Sequence, residues 1–513
     1  MTNRNIYNVF KENAEKRGKK LFLSFEEKRY SYIETFKIVN KIANLMQERG
    51  VAKGDKVVIM LGNSPEFIFS VLASFACGAI VIPMNTFFKG EEASYIINDS
   101  EASFIITSDQ FKPVMDEVKK QCNNVKTFFT FDDNIEYGLN FYNNINNKSD
   151  AAIECTVNDN DLAVFIYTSG TTGHPKGAML TYYNLLENVE SILQVVGATY
   201  KDKFIVMLPM FHTYTFTTCI MLPIRLGAGI IILRSVMEMK KDSFKKILLF
   251  QRPTFMLGVP QIYAALAKSN MPKWFIKFLY PIKMHISGGA PLPMEIFEQF
   301  KKKFGMPVIE GYGLSEASPV VSFNPLKKQK QGTVGLPLPN IKVKVINADE
   351  VEVPAGEVGE LIVKGPNIMQ GYWHLPNATS EAIKNGWLFT GDFATIDDDG
   401  YITIVDRKKD LILAKGMNVY PREIEEVIYT FPGVEAVAVI GIPSVELGEA
   451  IVAYIQPKAD ETIDEKALKT YLSKKLANFK LPRTIKIMDN IPLTATGKVL
   501  KRKLKDMVKN GQI

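Results

Sequence analysis

Residues 56–84 read KVVIMLGNSPEFIFSVLASFACGAIVIPM, and this stretch decides the fold class. The β-branched runs at its two ends are typical of buried parallel strands, and the apolar residues at 67–75 predict a helix between them. From residue 67 onward the stretch is uncharged and approaches the length of a membrane-spanning helix, but Gly78 and Pro83 interrupt it. It therefore predicts a strand, a helix and a second strand in an α/β fold.

The same alternation continues to about residue 335, and the pattern then changes. Residues 335–406 contain short strands separated by turn signals such as Asp399-Gly400. A further pattern of helices and strands follows, with a helix that Pro421 would open. We predict a large N-terminal domain, residues 1–408, of α/β subdomains plus a small β-rich section, followed by a small α+β C-terminal domain, residues 409–513.

Composition narrows the classes of function. The chain has 513 residues, is 46% hydrophobic, and carries 62 Lys and Arg against 55 Asp and Glu, a net charge of +7. This excess is modest for the length, so we expect no nucleic-acid partner. The four cysteines are far apart and without CxxC spacing, which predicts neither disulfides nor a structural zinc site. The N-terminus lacks the apolar core of a signal peptide, and we expect a cytoplasmic protein.

A second stretch, YTSGTTGHPKGAM at 167–179, combines glycines, hydroxyls and one lysine. Glycines let backbone N–H groups converge on an anion, and hydroxyls and lysine add donors. These are the components of a phosphate-binding loop, although a solvated turn is the simpler alternative. Pro175 and Gly177 differ from a Walker A loop and disfavour a P-loop ATPase. The candidate phosphate-binding residues are Thr168, Ser169, Gly170, Thr171, Thr172, Gly173 and Lys176.

This loop and five later motifs resemble, in content and order, those of the adenylate-forming superfamily of acyl-CoA synthetases, luciferases and adenylation domains. The resemblance spans nearly the whole chain, and GYGLSEASPVVSFNP together with GYWHLPNAT is most similar to bacterial long-chain fatty-acid CoA ligases. The five motifs are SGGAPLP (287–293), EGYGLSEASP (310–319), GWLFTGDFA (386–394), DRKKDLILAKGMNVYPREIE (406–425) and IPLTATGKVLKRKL (491–504).

The resemblance implies a reaction in two steps. A carboxylate attacks the α-phosphorus of ATP to give acyl-AMP and pyrophosphate, and the thiol of coenzyme A then takes the acyl group. ATP, Mg²⁺ and coenzyme A are the implied cofactors and co-substrates. A carboxylic acid with a pKa near ~4 is already ionised at neutral pH, so the first step needs no general base. Positioning and charge stabilisation should therefore dominate catalysis.

The resemblance also assigns ATP-binding roles. The loop of Thr168 to Lys176 would hold the β- and γ-phosphates, Glu316 would bind Mg²⁺, and Ser315 would reach the α-phosphate. Asp392 would accept hydrogen bonds from the ribose hydroxyls, and Arg407 would donate to the sugar or a phosphate. The alternative for Glu316 is a solvated residue at the start of a helix. The alternative for Asp392 and Arg407 is an ordinary surface ion pair without a ligand. Adenine would lie between Tyr312 and the segment Gly288, Gly289 and Ala290. The remaining nucleotide-binding candidates are Glu310, Gly311 and Gly313.

The C-terminal domain carries further implied roles. Lys498 would reach the α-phosphate and the carboxylate during adenylation, whereas a solvated cationic segment is its alternative. The resemblance implies that this domain is mobile, rotates about a hinge at Lys409 and withdraws Lys498 after adenylation. Lys415 and Gly416 would then line the channel for coenzyme A.

His212 in PMFHTYTF resembles the family's histidine beside the acyl carboxylate, although a lone histidine in an apolar stretch is often a core residue. The apolar character of the expected acyl pocket favours medium- to long-chain aliphatic acids. An aryl-acid CoA ligase, an enzyme that loads a carrier protein and a non-catalytic acyl- or nucleotide-binding protein are the alternatives. The sequence does not decide whether the protein contacts a membrane peripherally or forms a homodimer. The expected pocket residues are Phe211, Phe216, Met221, Val320 and Val321.

Overall fold

The protein is described by a computed structural model over residues 5–169, 174–240, 242–414, 417–444, 448–494 and 499–512. Within these ranges, the structure describes only the backbone of Ser169, Lys240, Asp242 and Ser243. The described strands form one nine-stranded, one eight-stranded and two five-stranded sheets. Helices connect the strands of the two large sheets, which confirms the predicted α/β fold class.

The elements of the first 337 residues build the two large sheets. Up to residue 169 they are α1 (Ile6–Arg17), β1 (Leu21–Phe25), β2 (Lys28–Ser31), α2 (Tyr32–Glu48), β3 (Lys56–Ile59), α3 (Pro65–Ala76), β4 (Ile80–Pro83), α4 (Gly90–Asp99), β5 (Phe104–Thr107), α5 (Lys112–Gln121), β6 (Thr127–Thr130), β7 (Gly138–Asn140), α6 (Phe141–Asn144) and β8 (Leu162–Ser169). From residue 175 they are β9 (Pro175–Thr181), α7 (Tyr182–Val196), β10 (Lys203–Val206), α8 (Thr213–Thr215), α9 (Leu222–Leu226), β11 (Gly229–Ile232), α10 (Asp242–Lys246), β12 (Phe255–Gly258), α11 (Pro260–Lys268), α12 (Lys273–Phe278), β13 (Met284–Ser287), α13 (Met294–Phe304), β14 (Val308–Gly313), β15 (Val320–Phe323) and β16 (Leu336–Pro337).

The remaining elements build the two small sheets, apart from β19, which joins the eight-stranded sheet. Up to residue 407 they are β17 (Lys342–Ile346), β18 (Gly359–Lys364), β19 (Gly371–Tyr372), α14 (Pro376–Ala382), β20 (Ile383–Lys384), β21 (Trp387–Ile396) and β22 (Ile402–Arg407). After residue 411 they are β23 (Ile412–Ala414), β24 (Met417–Val419), α15 (Pro421–Tyr429), β25 (Val434–Ser444), β26 (Gly448–Pro457), α16 (Glu465–Ser473), β27 (Thr484–Ile487) and α17 (Lys501–Lys509).

The eight-stranded sheet contains the stretch that decides the fold, in the order β19-β9-β8-β4-β3-β5-β6-β7. Strands β3 and β4 are adjacent and parallel, with Lys56 opposite Ile80. Ser64 caps α3 by accepting a hydrogen bond from the N–H of Phe67, and Pro65 occupies the first helical position, as helix starts favour. The uncharged run is thus a buried helix and a buried strand, as predicted. None of the described helices combines the length and apolar character that crossing a bilayer requires.

The nine-stranded sheet follows the order β16-β15-β14-β13-β12-β10-β11-β1-β2. Side chains alternate between its faces, so Phe204 and Phe255 join the main core while Ile205 and Met256 join a second core with α11 and α13. Helix α13 buries Phe297, Phe300 and Phe304 and ends at Gly305, whose φ of +71° suits glycine. Ligands of open α/β sheets bind beyond the carboxyl ends of such parallel strands.

The β-rich section differs from the prediction in one respect. Most of its strands form a five-stranded sheet, with the predicted turn at Asp399-Gly400 between β21 and β22. Strand β19, however, pairs with β9 at the edge of the eight-stranded sheet, with Gly371 opposite Met179. The edge of β9 has unpaired backbone groups that this short strand satisfies. The pairing brings Tyr372 to the phosphate-loop candidates.

The last sheet, β23 to β27, is built from residues 412–487 and packs against α15, which begins at Pro421 as predicted. The division of the chain into residues 1–408 and 409–513 stays a proposal.

Candidate active site

The described part of the phosphate-loop candidate is a β-hairpin. Strands β8 and β9 are antiparallel, and Thr168 lies opposite Lys176. We expected Lys176 as a mobile cation in a loop; instead it is part of strand β9, and its ammonium lies 5.3 Å from the ring centroid of Tyr372. Strand pairing therefore holds the backbone of this lysine in place. The candidates Gly170, Thr171, Thr172 and Gly173 and the side chain of Ser169 lie outside the described part of the chain.

Glu316 lies beside this hairpin, in the short 3-10 turn Ser315–Ala317. Its Oε1 accepts hydrogen bonds from the Tyr372 hydroxyl at 2.9 Å and from the Thr168 hydroxyl at 3.4 Å. The structure thus brings together a carboxylate, a hydroxyl and a tyrosine from three distant parts of the chain. Sequence reasoning missed Tyr372, although it belongs to the quoted GYWHLPNAT segment.

The oxygen atoms around Glu316 suit Mg²⁺, which is bound partly by water and substrate phosphates. They suit less well a metal ion that is bound by protein side chains alone. Among the described residues, no group of three or more His, Cys, Asp or Glu side chains could hold a metal ion. Magnesium typically takes one or two carboxylates and completes its shell with water and substrate phosphates. Glu316 next to the hydroxyl of Thr168 matches this arrangement.

Ser315 and His212 occupy neighbouring parts of the site. The Ser315 hydroxyl lies 3.0 Å from that of Thr213, the first residue of α8. His212 caps this helix, since its Nδ1 accepts a hydrogen bond from the N–H of Tyr214 at 3.3 Å. An accepting Nδ1 requires the neutral imidazole to carry its proton on Nε2. His212 therefore lines the cavity with a fixed tautomer.

Tyr312 and Asp392 come from different sheets and form the nucleoside end of the candidate site. The Tyr312 hydroxyl donates to Asp392 Oδ2 at 2.5 Å, and Arg407 Nε lies 3.5 Å from Asp392 Oδ1. Asp392 is only 6% exposed, so its charge depends on these partners. Burial, followed by the Asp392 carboxylate, raises the pKa of Tyr312 well above its ordinary value, and the hydroxyl stays a donor.

The glycines of the nucleotide motifs permit close approach. A Cβ on Gly288 would lie 3.0 Å from the ring of Tyr214, and one on Gly313 would lie 2.1 Å from the carbonyl oxygen of Pro319. Gly289 has a φ of +80°, a conformation that side chains disfavour. Gly311 accepts a Cβ only at 3.2 Å from Ser322 O. All four glycines and Ala290 line the same cavity as Tyr312.

Glu310 is a candidate carboxyl group whose acidity is strongly altered. It is buried within β14 and accepts a hydrogen bond from the N–H of Leu292 at 3.0 Å. Burial raises its pKa to about 7 from an ordinary value of 4.5, while the Leu292 hydrogen bond and the charge of Arg422 act in the opposite direction. Glu310 therefore keeps its proton to a higher pH than an ordinary glutamate does.

Stability should depend on pH through Glu310. Because its folded pKa is raised, its protonation stabilises the fold below pH 4.5, and this contribution is lost as the pH rises to about 7. Relative to wild type, Glu310→Gln should gain on the order of 3 kcal/mol across that interval, because glutamine stays neutral and still accepts from Leu292. Denaturant unfolding at several pH values measures the change. Glu357→Gln, at an exposed site, is the control, and an equal response of both variants would contradict the prediction.

The C-terminal candidates are only partly described. Lys409 is exposed in the turn Lys408–Asp410 and lines the cavity. Lys415, Gly416 and Lys498 lie outside the described residues. Sequence reasoning missed Lys501, three positions after Lys498, which pairs with Glu425 at 2.8 Å and joins α17 to α15. Burial would lower the pKa of Lys501, but the nearby carboxylates, Glu425 first among them, raise it.

One cavity of about 2040 Å³ connects these groups. Its lining includes the polar side chains of Lys176, Tyr312, Glu316 and Asp392 and a group of apolar side chains from the main core cluster, which we call the apolar branch. The expected pocket residues Phe211 and Val320 line it. The expectation was wrong for three others, which are buried in the core and are not among the described lining residues: Phe216, Met221 and Val321. The branch is lined by Ile192, Val195, Val196, Phe204, Leu222, Phe255, Leu257, Ile286, Val320, Phe323, Val334 and Leu338.

Comparisons with known proteins match nearly the whole chain. Residues 10–373 match the family model described as AMP-binding enzyme, and residues 423–498 match its C-terminal domain. The chain is 33% identical over 539 residues to the long-chain-fatty-acid–CoA ligase of Bacillus subtilis, covering 98% of this chain and 94% of that protein. It is also 33% identical over 474 residues to a feruloyl-CoA synthase of Amycolatopsis sp, covering 92% of each.

A solved structure agrees over the full length. ATP-bound MatB from Rhodopseudomonas palustris matches with a TM-score of 0.91 and 30% identity, covering 100% of both chains. That relative has ATP bound. The chain therefore belongs to the AMP-binding enzyme family and, within it, to the AMP-forming acyl-CoA ligases.

Proposed function

We propose that the protein is an ATP-dependent fatty acid–CoA ligase that prefers medium- to long-chain aliphatic acids. The observation that carries this proposal is the apolar branch, twelve apolar lining residues of the cavity that belong to one core cluster or pack against it. A second carboxylate or an amino group on the substrate would find no partner there. The relative from Bacillus subtilis, named a long-chain-fatty-acid–CoA ligase, supports the same substrate class.

The length of the branch supports a chain longer than acetate. Gly258 and Ser287 are paired near the carboxyl ends of β12 and β13, whereas Phe255 lies three residues earlier. Three strand residues span about 10 Å at roughly 3.3 Å each. Phe204 and Phe255 stack at 4.7 Å at this lower level, and both line the branch. We infer that the acyl chain runs from His212 down this face of the sheet.

In the first step, a carboxylate oxygen of the acid attacks the α-phosphorus, and the bond from that phosphorus to pyrophosphate breaks. We assign the β- and γ-phosphates to the hairpin that carries Thr168 and Lys176, and the ribose hydroxyls to Asp392. Glu316 would hold Mg²⁺, which neutralises phosphate charge when bound. His212 would donate from Nε2 to the acid and orient its carboxylate.

In the second step, the sulfur of coenzyme A forms a bond to the acyl carbon, and the bond to the AMP oxygen breaks. Through the family resemblance, we assign Lys409 as the hinge, and Lys415 and Gly416 as residues of the coenzyme A channel. A glycine in such a channel leaves room for a narrow thiol-bearing chain. The rotation of the C-terminal domain about Lys409 belongs to the same proposal.

The test is pyrophosphate release from ATP across acids from acetate to hexadecanoate, together with benzoate and 4-coumarate, with acyl-CoA measured as the final product. We expect release and acyl-CoA formation to peak with medium or long aliphatic acids. A peak with the aryl acids would overturn the substrate class and favour the aryl-acid alternative, which the similarity to feruloyl-CoA synthase supports. Release without acyl-CoA would instead favour delivery to a carrier protein.

Narrowing the branch should shift chain-length preference. Val196, at the end of α7, is buried and lines the branch near Phe204. Val196→Phe should lower kcat/KM for hexadecanoate by about tenfold or more, because the larger ring occupies space for the distal methylenes. The value for butanoate should change by less than about twofold, since a short acid would not reach the ring. Equal losses for both acids would contradict this assignment of the branch.

A further inference from the structure

One segment of the chain contains all of its net charge. Between Asp242 and Glu295 the sequence has no acidic residue, yet it has seven basic ones, which equals the net charge of +7 of the whole chain. Lys268 pairs with Glu435, and Lys283 pairs with Asp202. The other five basic residues are exposed, and they are Lys245, Lys246, Arg252, Lys273 and Lys277.

Large apolar side chains are exposed among these cations. Phe250 is 81% exposed, Phe278 is 70% exposed and Trp274 is 59% exposed. The Lys277 ammonium lies 5.2 Å from the ring centroid of Phe278. Three exposed aromatic side chains in one segment are unusual, because folded proteins rarely leave large apolar groups together in water without a partner.

The fold brings these residues to one face. Phe244 and Leu248, before β12, and Phe275, before β13, are buried in the same core cluster, so both segments cover the same side of the nine-stranded sheet. Their ends are joined where the carbonyl oxygen of Thr254 accepts hydrogen bonds from the N–H groups of Lys283 and Met284. We call the resulting surface the basic-aromatic face, and it consists of Lys245, Lys246, Phe250, Arg252, Lys273, Trp274, Lys277 and Phe278.

We propose that the basic-aromatic face binds the surface of an anionic lipid bilayer. Aromatic side chains, tryptophan above all, prefer the boundary between headgroups and acyl chains, and lysine and arginine are attracted to anionic headgroups. Helix α12 presents both kinds of side chain over six residues, Lys273 to Phe278. None of the residues of this face lines the described cavity, so the face is a surface distinct from the catalytic site.

The test is co-sedimentation of the full chain with vesicles of equal parts phosphatidylglycerol and phosphatidylcholine, and with vesicles of phosphatidylcholine alone. We expect binding to the anionic vesicles that weakens with salt. Lys273→Glu with Lys277→Glu should weaken it about a hundredfold, and Trp274→Ala with Phe278→Ala about tenfold. The matched control is Leu326→Ala with Lys327→Glu, which alters one exposed apolar residue and one exposed lysine in the segment after β15 and should bind as wild type does.

Several results would overturn the proposal. They are wild-type protein that stays in the supernatant, equal binding to both kinds of vesicle, and variants of the face that bind as well as the control. A loss of self-association in the variants without a loss of vesicle binding would assign the face to a second copy of the chain. Pyrophosphate release with a short acid should be unchanged in all variants, which shows that they are folded.

Discussion

Lys498→Ala is expected to slow pyrophosphate release from ATP by about 10³-fold, the largest effect that we predict for a single side chain. The residue lies in TATGKVLKRKL and outside the described residues, so the motif alone carries this expectation. A cation at the α-phosphate would offset charge that builds up as the acyl oxygen attacks. The second step should be spared, because we propose that the C-terminal domain withdraws this lysine before coenzyme A reacts.

The two steps can be measured separately. Pyrophosphate release reports the first, and conversion of supplied acyl-AMP to acyl-CoA reports the second. Lys503→Ala is the matched control, because Lys503 is an exposed lysine of the same basic segment. If the two alanine variants lose the same small fraction of pyrophosphate release, Lys498 is part of a solvated cationic segment and its proposed role is wrong.

Glu316→Gln is expected to lower kcat/KM for ATP by about 10²- to 10³-fold. Glutamine has nearly the same shape and can still accept a hydrogen bond from Tyr372, so the change removes the negative charge and little else. Without that charge, the site should hold Mg²⁺ less well. Activity should then require more Mg²⁺ to reach its maximum, which a titration at fixed ATP measures.

Tyr372→Phe tests whether Glu316 contributes to activity through its charge or through its orientation. It removes the hydroxyl that donates to Glu316 Oε1 at 2.9 Å and leaves the carboxylate in place. We expect a loss of about tenfold or less, with an Mg²⁺ dependence close to that of wild type. If Glu316→Gln and Tyr372→Phe instead have the same effect on the Mg²⁺ titration, Glu316 acts through packing or hydrogen bonding and does not bind the metal.

Local patterns were sufficient where a short segment determines its own structure. The β-branched runs around α3 predicted adjacent buried strands, and Pro421 marked the start of helix α15. These predictions rest on backbone geometry and hydrophobic periodicity, which act over a few residues.

Contacts between distant segments could not be predicted in this way. Nothing near Glu316 in the sequence indicates that Tyr372 donates to it, because that contact depends on β19 pairing with the edge of β9. The pair of Lys501 and Glu425 depends in the same way on how α17 packs against α15. Such pairings are set by which edges and faces are still free once the large sheets have formed.

The sequence by itself determined the α/β class, the order of the motifs and the segment without acidic residues between Asp242 and Glu295. Only the tertiary structure decided which aromatic side chains of that segment are buried and which are exposed. Phe244 and Phe275 complete a core, whereas Phe250 and Phe278 are left in water. The physical reason is that all four are equally apolar, and burial depends on where the neighbouring helices and strands pack.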